Sequence, residues 1–337
     1  MSDRRNDLDR ASSWRRRVLA AFCMTLAGTG LLAGSGAALA QDGAPVKMIV
    51  PFGPGTTTDT IGRIVAEALA RSLGQTVVVD NRAGAGGAIG TDQVAKAAGD
   101  GKTLVMGTVG THAINAALFR KLPYDTLRDF APVAFVGYTP TLLVVSAESP
   151  LGTLKDLAAA AARPQGVTFA SAGNGTSGHL AGELLAQRLG GKMIHVPYKE
   201  GAVALTSVMA QQVDFMFYHP AAVMPQIRAG KLRPLAASSA VRSAAAPEVA
   251  TLMEQGVKEF DLVAWFMLYA PATLPAPALD KLRGAATAAL GQAEVMTRLR
   301  EQGIEQRAMR PDEMLPFNKV ELAKWAELVK RSGAQVD

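Results

Sequence analysis

The sequence is poor in the residues that staple a chain, chelate a metal or grip a polyanion. It holds one cysteine in 337 residues, Cys23, inside an apolar run near the N-terminus. Without a second thiol there is no disulfide and no thiolate metal site, so the fold must rest on its core. Cys23 follows Phe22 within the run, whereas a lipid-attachment cysteine follows a small residue at the end of one. Histidines are few (His112, His179, His195 and His219) and have no tight chelating spacing. The GxSxG nucleophile elbow is absent, which argues against an ordinary α/β-hydrolase triad. Gly101-Lys102-Thr103 ends like a P-loop, but Lys96 stands where the first glycine belongs and Thr103 opens a strand. Beyond the first 40 residues no apolar run reaches the roughly 20 residues that span a bilayer.

What is present begins with a leader. Arg4, Arg5, Arg10 and Arg15 to Arg17 precede an apolar stretch, Val18 to Leu32, and Ala38-Leu39-Ala40 is followed by Gln41. That order is a secretory signal peptide. Residues 1–40 are expected to be removed after Ala40 and the rest to be periplasmic. The alternative, an N-terminal anchor, suits a run this short and rich in Gly and Ala less well. Arg15-Arg16-Arg17-Val18-Leu19 also fits a loose twin-arginine pattern, so Sec and twin-arginine export both stay open. Of 35 Lys+Arg and 29 Asp+Glu, the leader holds six and three, and the remaining chain balances at +3. A near-neutral chain gives no case for nucleic acid, which usually needs a clustered basic face.

Short apolar strands alternate with amphipathic helices. Lys47 to Val50, Val77 to Val79 and Thr103 to Met106 read as strands. Ile61, Ile64, Val65, Ala68 and Leu69 have helical spacing. The pattern restarts after Leu142 to Ser146, with strands at 167–170, 193–196, 213–217, 234–238 and 263–270 and helices at 153–162, 177–189 and 202–210. The C-terminus reads as helical over 278–300, with a break, and 311–331. This is an α/β protein with largely parallel sheets. Glycine-rich turns recur where strands hand over to helices, at 52–59, 82–90 and 171–179. Helix N-termini at such turns expose unpaired amides and the positive dipole end, which bind anions without a lysine or arginine. Three such loops together predict a neutral, donor-rich cleft for a carboxylate.

The loops carry a resemblance. Pro51-Phe52-Gly53-Pro54-Gly55 with Asp59, Asn81-Arg82-Ala83-Gly84-Ala85-Gly86-Gly87 with Ile89-Gly90, and Gly107-Thr108 with His112 resemble the opening of the Bug-type receptors. These are the substrate-binding proteins of tripartite tricarboxylate transporters. Leu122-Pro123-Tyr124-Asp125, Asp129 to Val133, Ala170 to Thr176, His179 to Leu184, His195 to Lys199, Gln212-Val213-Asp214, Ala229 to Arg233 and Lys324-Trp325 follow in family order. The resemblance implies a type II periplasmic-binding-protein fold: two α/β lobes with a ligand cleft between them. Lobe 1 would be 41–145 plus 267–337 and lobe 2 would be 146–266. It implies binding without catalysis and without a cofactor or metal, a small carboxylate ligand, membrane transporter subunits as partners, and a monomer. The expected ligand-binding residues are Phe52, Gly55, Thr56, Thr57, Asp59, Gly86, Gly87, Thr108, Ser171, Asn174, Gly175, Thr176 and Tyr218.

Two departures bear on ligand choice. Thr56 stands where the family usually has a second glycine. Tyr218-His219 stands where it often has Asp-Asn, which implies a different distal ligand group, aromatic or a second carboxylate. Two rivals remain. Gly173-Asn174-Gly175-Thr176-Ser177-Gly178 matches GxGxxG after a strand, with Glu200 beyond the next strand, as in an exported NAD(P)-binding oxidoreductase. A ligand-presenting partner of a membrane sensor is the other. His195 reads as a satisfied core histidine, and Trp265 and Phe266 as core or hinge packing.

Overall fold

The computed structural model describes residues 44–332 together with 334 and 335. The expected signal peptide, its cleavage site, the twin-arginine pattern and Cys23 lie outside the described residues.

The first sheet holds β1 (Val46–Val50), β2 (Val77–Asn81), β3 (Thr103–Thr108), β4 (Phe130–Pro140) and β10 (Val263–Pro271), in the order β2-β1-β3-β10-β4. β1 pairs in parallel with β2 and β3. β10, arriving from far along the chain, runs antiparallel to β3 and β4. Between β1 and β2 lies α1 (Thr57–Leu73). Thr56 caps it by accepting from the Asp59 amide, and Gly74 ends it in the left-handed region at φ 64°. Its predicted stripe, Ile61, Ile64, Val65, Ala68 and Leu69, is buried against Met48, Val50 and Leu104. A short α2 (Ala88–Ala95) follows β2. A π-helical turn, Gly110–Ile114, and α3 (Asn115–Leu118) follow β3.

The second sheet holds β5 (Leu142–Ser146), β6 (Val167–Ser171), β7 (Met193–Pro197), β8 (Phe215–Tyr218) and β9 (Leu232–Ala237), in the order β7-β6-β8-β5-β9. Four helices flank it: α4 (Leu154–Ala161), α5 (Ser177–Leu189), α6 (Gly201–Met209) and α7 (Pro220–Arg228). β6 is parallel to β7 and β8, but β5 is antiparallel to β8 and β9. The sheets are therefore mixed, which corrects the largely parallel expectation. In each, a strand that has crossed from the other half enters against the local direction.

The first crossing is short. β4 and β5 are separated by Thr141 alone. Ser238 ties the two passages together. Its hydroxyl accepts from the Thr141 amide at 2.9 Å and donates to the Leu262 carbonyl at 2.6 Å. Its own amide donates to the Thr141 carbonyl, and the Leu262 amide to the Ser238 carbonyl. The chain ends in α8 (Ala276–Leu290), α9 (Ala293–Glu301) and α10 (Pro311–Ser332). α8 and α9 bury Leu282, Ala286, Val295 and Leu299 in the same core as α1. α10 is fixed at one buried carboxylate: Glu321 accepts from the indole of Trp265 at 2.8 Å and of Trp325 at 2.9 Å.

Candidate functional site

A cavity lies at the C-terminal ends of β1, β3, β6 and β8, the edge where open α/β sheets bind ligands. It holds about 550 Å³ of atom-free space, its open mouth included. From the first half it is lined by Phe52, Thr56, Thr57, Thr58, Thr108, Val109 and Gly110, with Ala264 and Phe266 of β10. From the second half come Ala172, Thr176, Ser177, Gly178, Phe217, Tyr218 and His219. Among the described residues lining it there is no Lys, Arg, Asp or Glu.

The first loop is built around Asp59. Its carboxylate accepts from the Gly55 amide at 2.9 Å, from Asn81 Nδ2 at 2.9 Å and from Arg63 Nε at 3.1 Å. Asn81 Nδ2 also donates to the Phe52 carbonyl. Burial pushes the Asp59 pKa up, but the bonds from Arg63, Gly55 and Asn81 outweigh it and hold the carboxyl below its ordinary value. Thr56 donates its hydroxyl to the Gly53 carbonyl at 2.8 Å. The threonine therefore works as turn and cap in one.

The second and third loops meet face to face. Gly86 has φ 59°, and a β-carbon there would stand 2.5 Å from the Asn174 carbonyl oxygen. Gly175 has φ 78°, and a β-carbon there would run into the Asn115 side chain. Asn115 Nδ2 in turn donates to the Gly86 carbonyl. These contacts close the two halves onto each other.

Behind the third loop two histidine rings stack with centroids 4.0 Å apart. His195 Nε2 meets the Ser171 hydroxyl at 2.7 Å, and the Gly175 amide donates to His179 Nδ1 at 3.3 Å. That bond assigns the ring proton of neutral His179 to Nε2, facing Glu183 at 3.7 Å. His179, Glu183 and His195 can bring ligand atoms within 4.8 Å of one another. Ligation through His179 Nε2 would require its proton to move to Nδ1, against the Gly175 amide. The trio thus supports the loop rather than offering a ready metal cage. His195 is satisfied as expected, but on half-buried β7 at the edge of its sheet rather than in a buried strand.

Of the expected site residues, Phe52, Thr56, Thr57, Thr108, Thr176 and Tyr218 line the cavity. Gly55, Asp59, Gly86, Gly87, Ser171, Asn174 and Gly175 stand outside its lining, in the loops that shape it. Sequence reasoning did not assign Gly110, Ser177, Phe217, His219 and Phe266 to the site. From the sequence His219 reads as a departure from the family pattern and Phe266 as packing. Tyr218 packs its hydroxyl toward Gly201, where any β-carbon would collide with it. Burial raises the Tyr218 pKa to about 12 and lowers that of His219 to about 4, so both are neutral at pH 7. Thr57 Oγ1 and His219 Nδ1 are buried without a protein partner.

Two α/β sheets facing each other across a charge-free, hydroxyl-rimmed cavity, joined by tied crossings, make a two-lobed ligand-binding protein. Residues 61–334 match the tripartite tricarboxylate transporter family receptor, and the chain belongs to that family. It is 38% identical to BugT of Bordetella pertussis over 294 residues, covering 87% of this chain and 90% of BugT. A structure of Rpa4515 of R. palustris with adipate is 34% identical with a TM-score of 0.83, covering 87% of this chain and 98% of that one. MatC of Rhodopseudomonas palustris with bound malate is also 34% identical, with a TM-score of 0.79 and coverage of 85% and 98%. The fold is that of the periplasmic binding proteins of this type, and the protein is a solute receptor.

Proposed function

We propose that the cavity binds a small carboxylate reversibly outside the cytoplasm and that the loaded, closed protein is handed to membrane transporter subunits. One observation carries this reading: helix N-termini and hydroxyls ring the cavity, while no charged side chain lines it. Backbone amides and threonines can hold an anion there without the cost of burying an unpaired cation. Relatives of this fold and length hold adipate and malate. Lobes at 41–145 plus 267–337 and 146–266 are consistent with sheet membership. That β4 pairs with β10 in one sheet and β5 with β8 in the other supports a division near these bounds.

Binding without turnover follows from the chemistry on the wall. Ser177 Oγ and His219 Nε2 are 3.3 Å apart, a hydroxyl beside an imidazole. The other ring nitrogen has no carboxylate to stabilise an imidazolium, and burial makes the ring a weak base. No helix among the described residues is long and apolar enough to cross a membrane. In the cell envelope the chain should begin at Gln41. Thermal denaturation of ligand-stripped protein against a carboxylate panel is the test. A melting temperature that rises with ligand concentration, with the compound recovered intact, is expected. Conversion of the compound by pure protein would refute the receptor reading.

A further inference from the structure

α1 and α5 both open on the cavity. Thr56 and Thr176 cap the amides of Asp59 and His179, which leaves the Thr57, Thr58, Ser177 and Gly178 amides at the wall for an acidic ligand. At the start of α5 a side chain adds to the amides. Ser177 Oγ lies 3.3 Å from His219 Nε2, and both residues line the cavity. Which of the two groups donates in that bond decides what Ser177 shows to a ligand.

His219 is neutral at pH 7, since burial lowers its pKa to about 4, so one ring nitrogen carries a hydrogen and the other a lone pair. Tyr218 and Phe266 flank the ring, with centroids 5.6 and 6.0 Å away. Nδ1 is buried and has no protein partner. In the first turn of α7, Pro220 has no N–H, and the Ala222 and Val223 amides bond the His219 carbonyl. A hydrogen on Nδ1 would be a buried donor with nothing to receive it, and orphaned N–H groups are rarer in proteins than under-satisfied acceptors. The hydrogen therefore belongs on Nε2, where Ser177 Oγ accepts it. The Ser177 hydroxyl then keeps its own hydrogen for the cavity. With the opposite tautomer the hydroxyl would give that hydrogen to Nε2 and offer a ligand only lone pairs, which repel a carboxylate.

We infer that His219 is a positioning residue for the ligand: its Nε2–H donates to Ser177 Oγ and turns the hydroxyl hydrogen towards a carboxylate oxygen seated at the N-terminus of α5. This role rests on the carboxylate-receptor reading, and it leaves the start of α1 open to a second carboxylate.

Ring ¹⁵N shifts read the tautomer in wild-type protein loaded with the tightest binder among adipate, malate and benzoate. The chain has four histidines, and the signals lost in His219→Gln identify the ring. A protonated Nε2 and an unprotonated Nδ1 are expected; the reverse overturns the proposal, whatever the variants do. Isothermal titration of the same acid gives the second reading. Ser177→Ala and His219→Phe should each weaken binding by about fivefold or more. The double variant should bind within about twofold of the weaker single one, because both substitutions break the same relay. His219→Gln, whose side-chain N–H can stand in for Nε2–H, should recover most of what His219→Phe loses; a ring that merely filled space would be better replaced by phenylalanine. Additive losses, wild-type affinity in Ser177→Ala, or a glutamine variant as weak as the phenylalanine one overturns the role of His219 and leaves the carboxylate receptor standing. If the wild type binds none of the three acids, the carboxylate reading itself fails and the proposal with it.

Discussion

Thr176 caps α5, accepting from the His179 amide at 3.4 Å, and donates its hydroxyl to the Gly173 carbonyl at 2.8 Å. Thr176→Ala should cost about 0.5–2 kcal/mol of stability through the lost cap. It should also weaken ligand binding, since the loop it holds frames the N-terminus of α5. Urea denaturation and titration on the same variant separate the two effects. Gly175→Val is harsher: the left-handed φ is strained for valine, and its side chain meets Asn115. Wild-type affinity in a folded Gly175→Val protein would mean that this loop does not close on the ligand. The histidines predict acid sensitivity. Burial depresses the pKa of His112 to about 3 and of His219 to about 4, against an ordinary 6.5. Below pH 6.5 the unfolded chain takes up protons that the folded chain refuses, so stability falls as pH drops from 6.5 towards 4. The slope is about 1.4 kcal/mol per pH unit for each fully shifted group. Asp59, with its pKa lowered, stays ionised in both states above pH 5 and adds nothing in that window. Urea midpoints at pH 7.5 and 5.0 should differ accordingly, and equal midpoints would contradict it.

At the level of elements, Ser238 is the knot between the crossings. Ser238→Ala strands the Thr141 amide and hydroxyl and the Leu262 carbonyl in a buried place. It should destabilise the fold by about 1–3 kcal/mol, measured by urea denaturation; a loss within error would mean that other groups hold the crossing. The first residue of α6, Gly201, has no room for a side chain, because the Tyr218 hydroxyl occupies the space of a β-carbon there. Gly201→Ala should therefore displace Tyr218 and reorder the ligand panel more than it lowers overall affinity. An unchanged ranking by titration would remove Tyr218 from specificity. Much of this was legible in the chain. The stripe of α1 and the strand–turn–helix handovers have strong periods, and they place the loops at the right sheet edge. β4 is not legible in the sequence because Pro132, Gly137 and Pro140 interrupt it, and it forms by pairing with the distant β10. α7 is masked in the sequence by Pro220 and Pro225. Phe217 and Phe266 read as core from sequence, since an apolar residue facing a ligand and one facing a core look alike until the sheets are assembled. Asp59 and Ser171 read as ligand contacts, and in the structure they bond protein groups, Asp59 with Gly55, Arg63 and Asn81 and Ser171 with Gly173 and His195.

For the whole molecule, the mutual packing of Gly86 on Asn174 and of Gly175 on Asn115 describes a closed cleft. Release of a ligand requires those contacts to part, with the tied crossings as pivot. Small-angle scattering should show a smaller radius of gyration with saturating ligand than without, and an equal radius from verified ligand-free protein would count against closure. The carboxylate of Glu321 has a practical bearing on such measurements. The sequence has three tryptophans, and Trp14 falls in the expected leader. The other two, Trp265 and Trp325, are both buried and both donate to Glu321. Trp265 is the neighbour of cavity-lining Phe266 on β10, so it faces away from the ligand, into α10. Intrinsic fluorescence of the processed protein is thus a built-in gauge of the terminal helix. Its emission should shift to the red when α10 peels off and stay almost silent through a ligand titration.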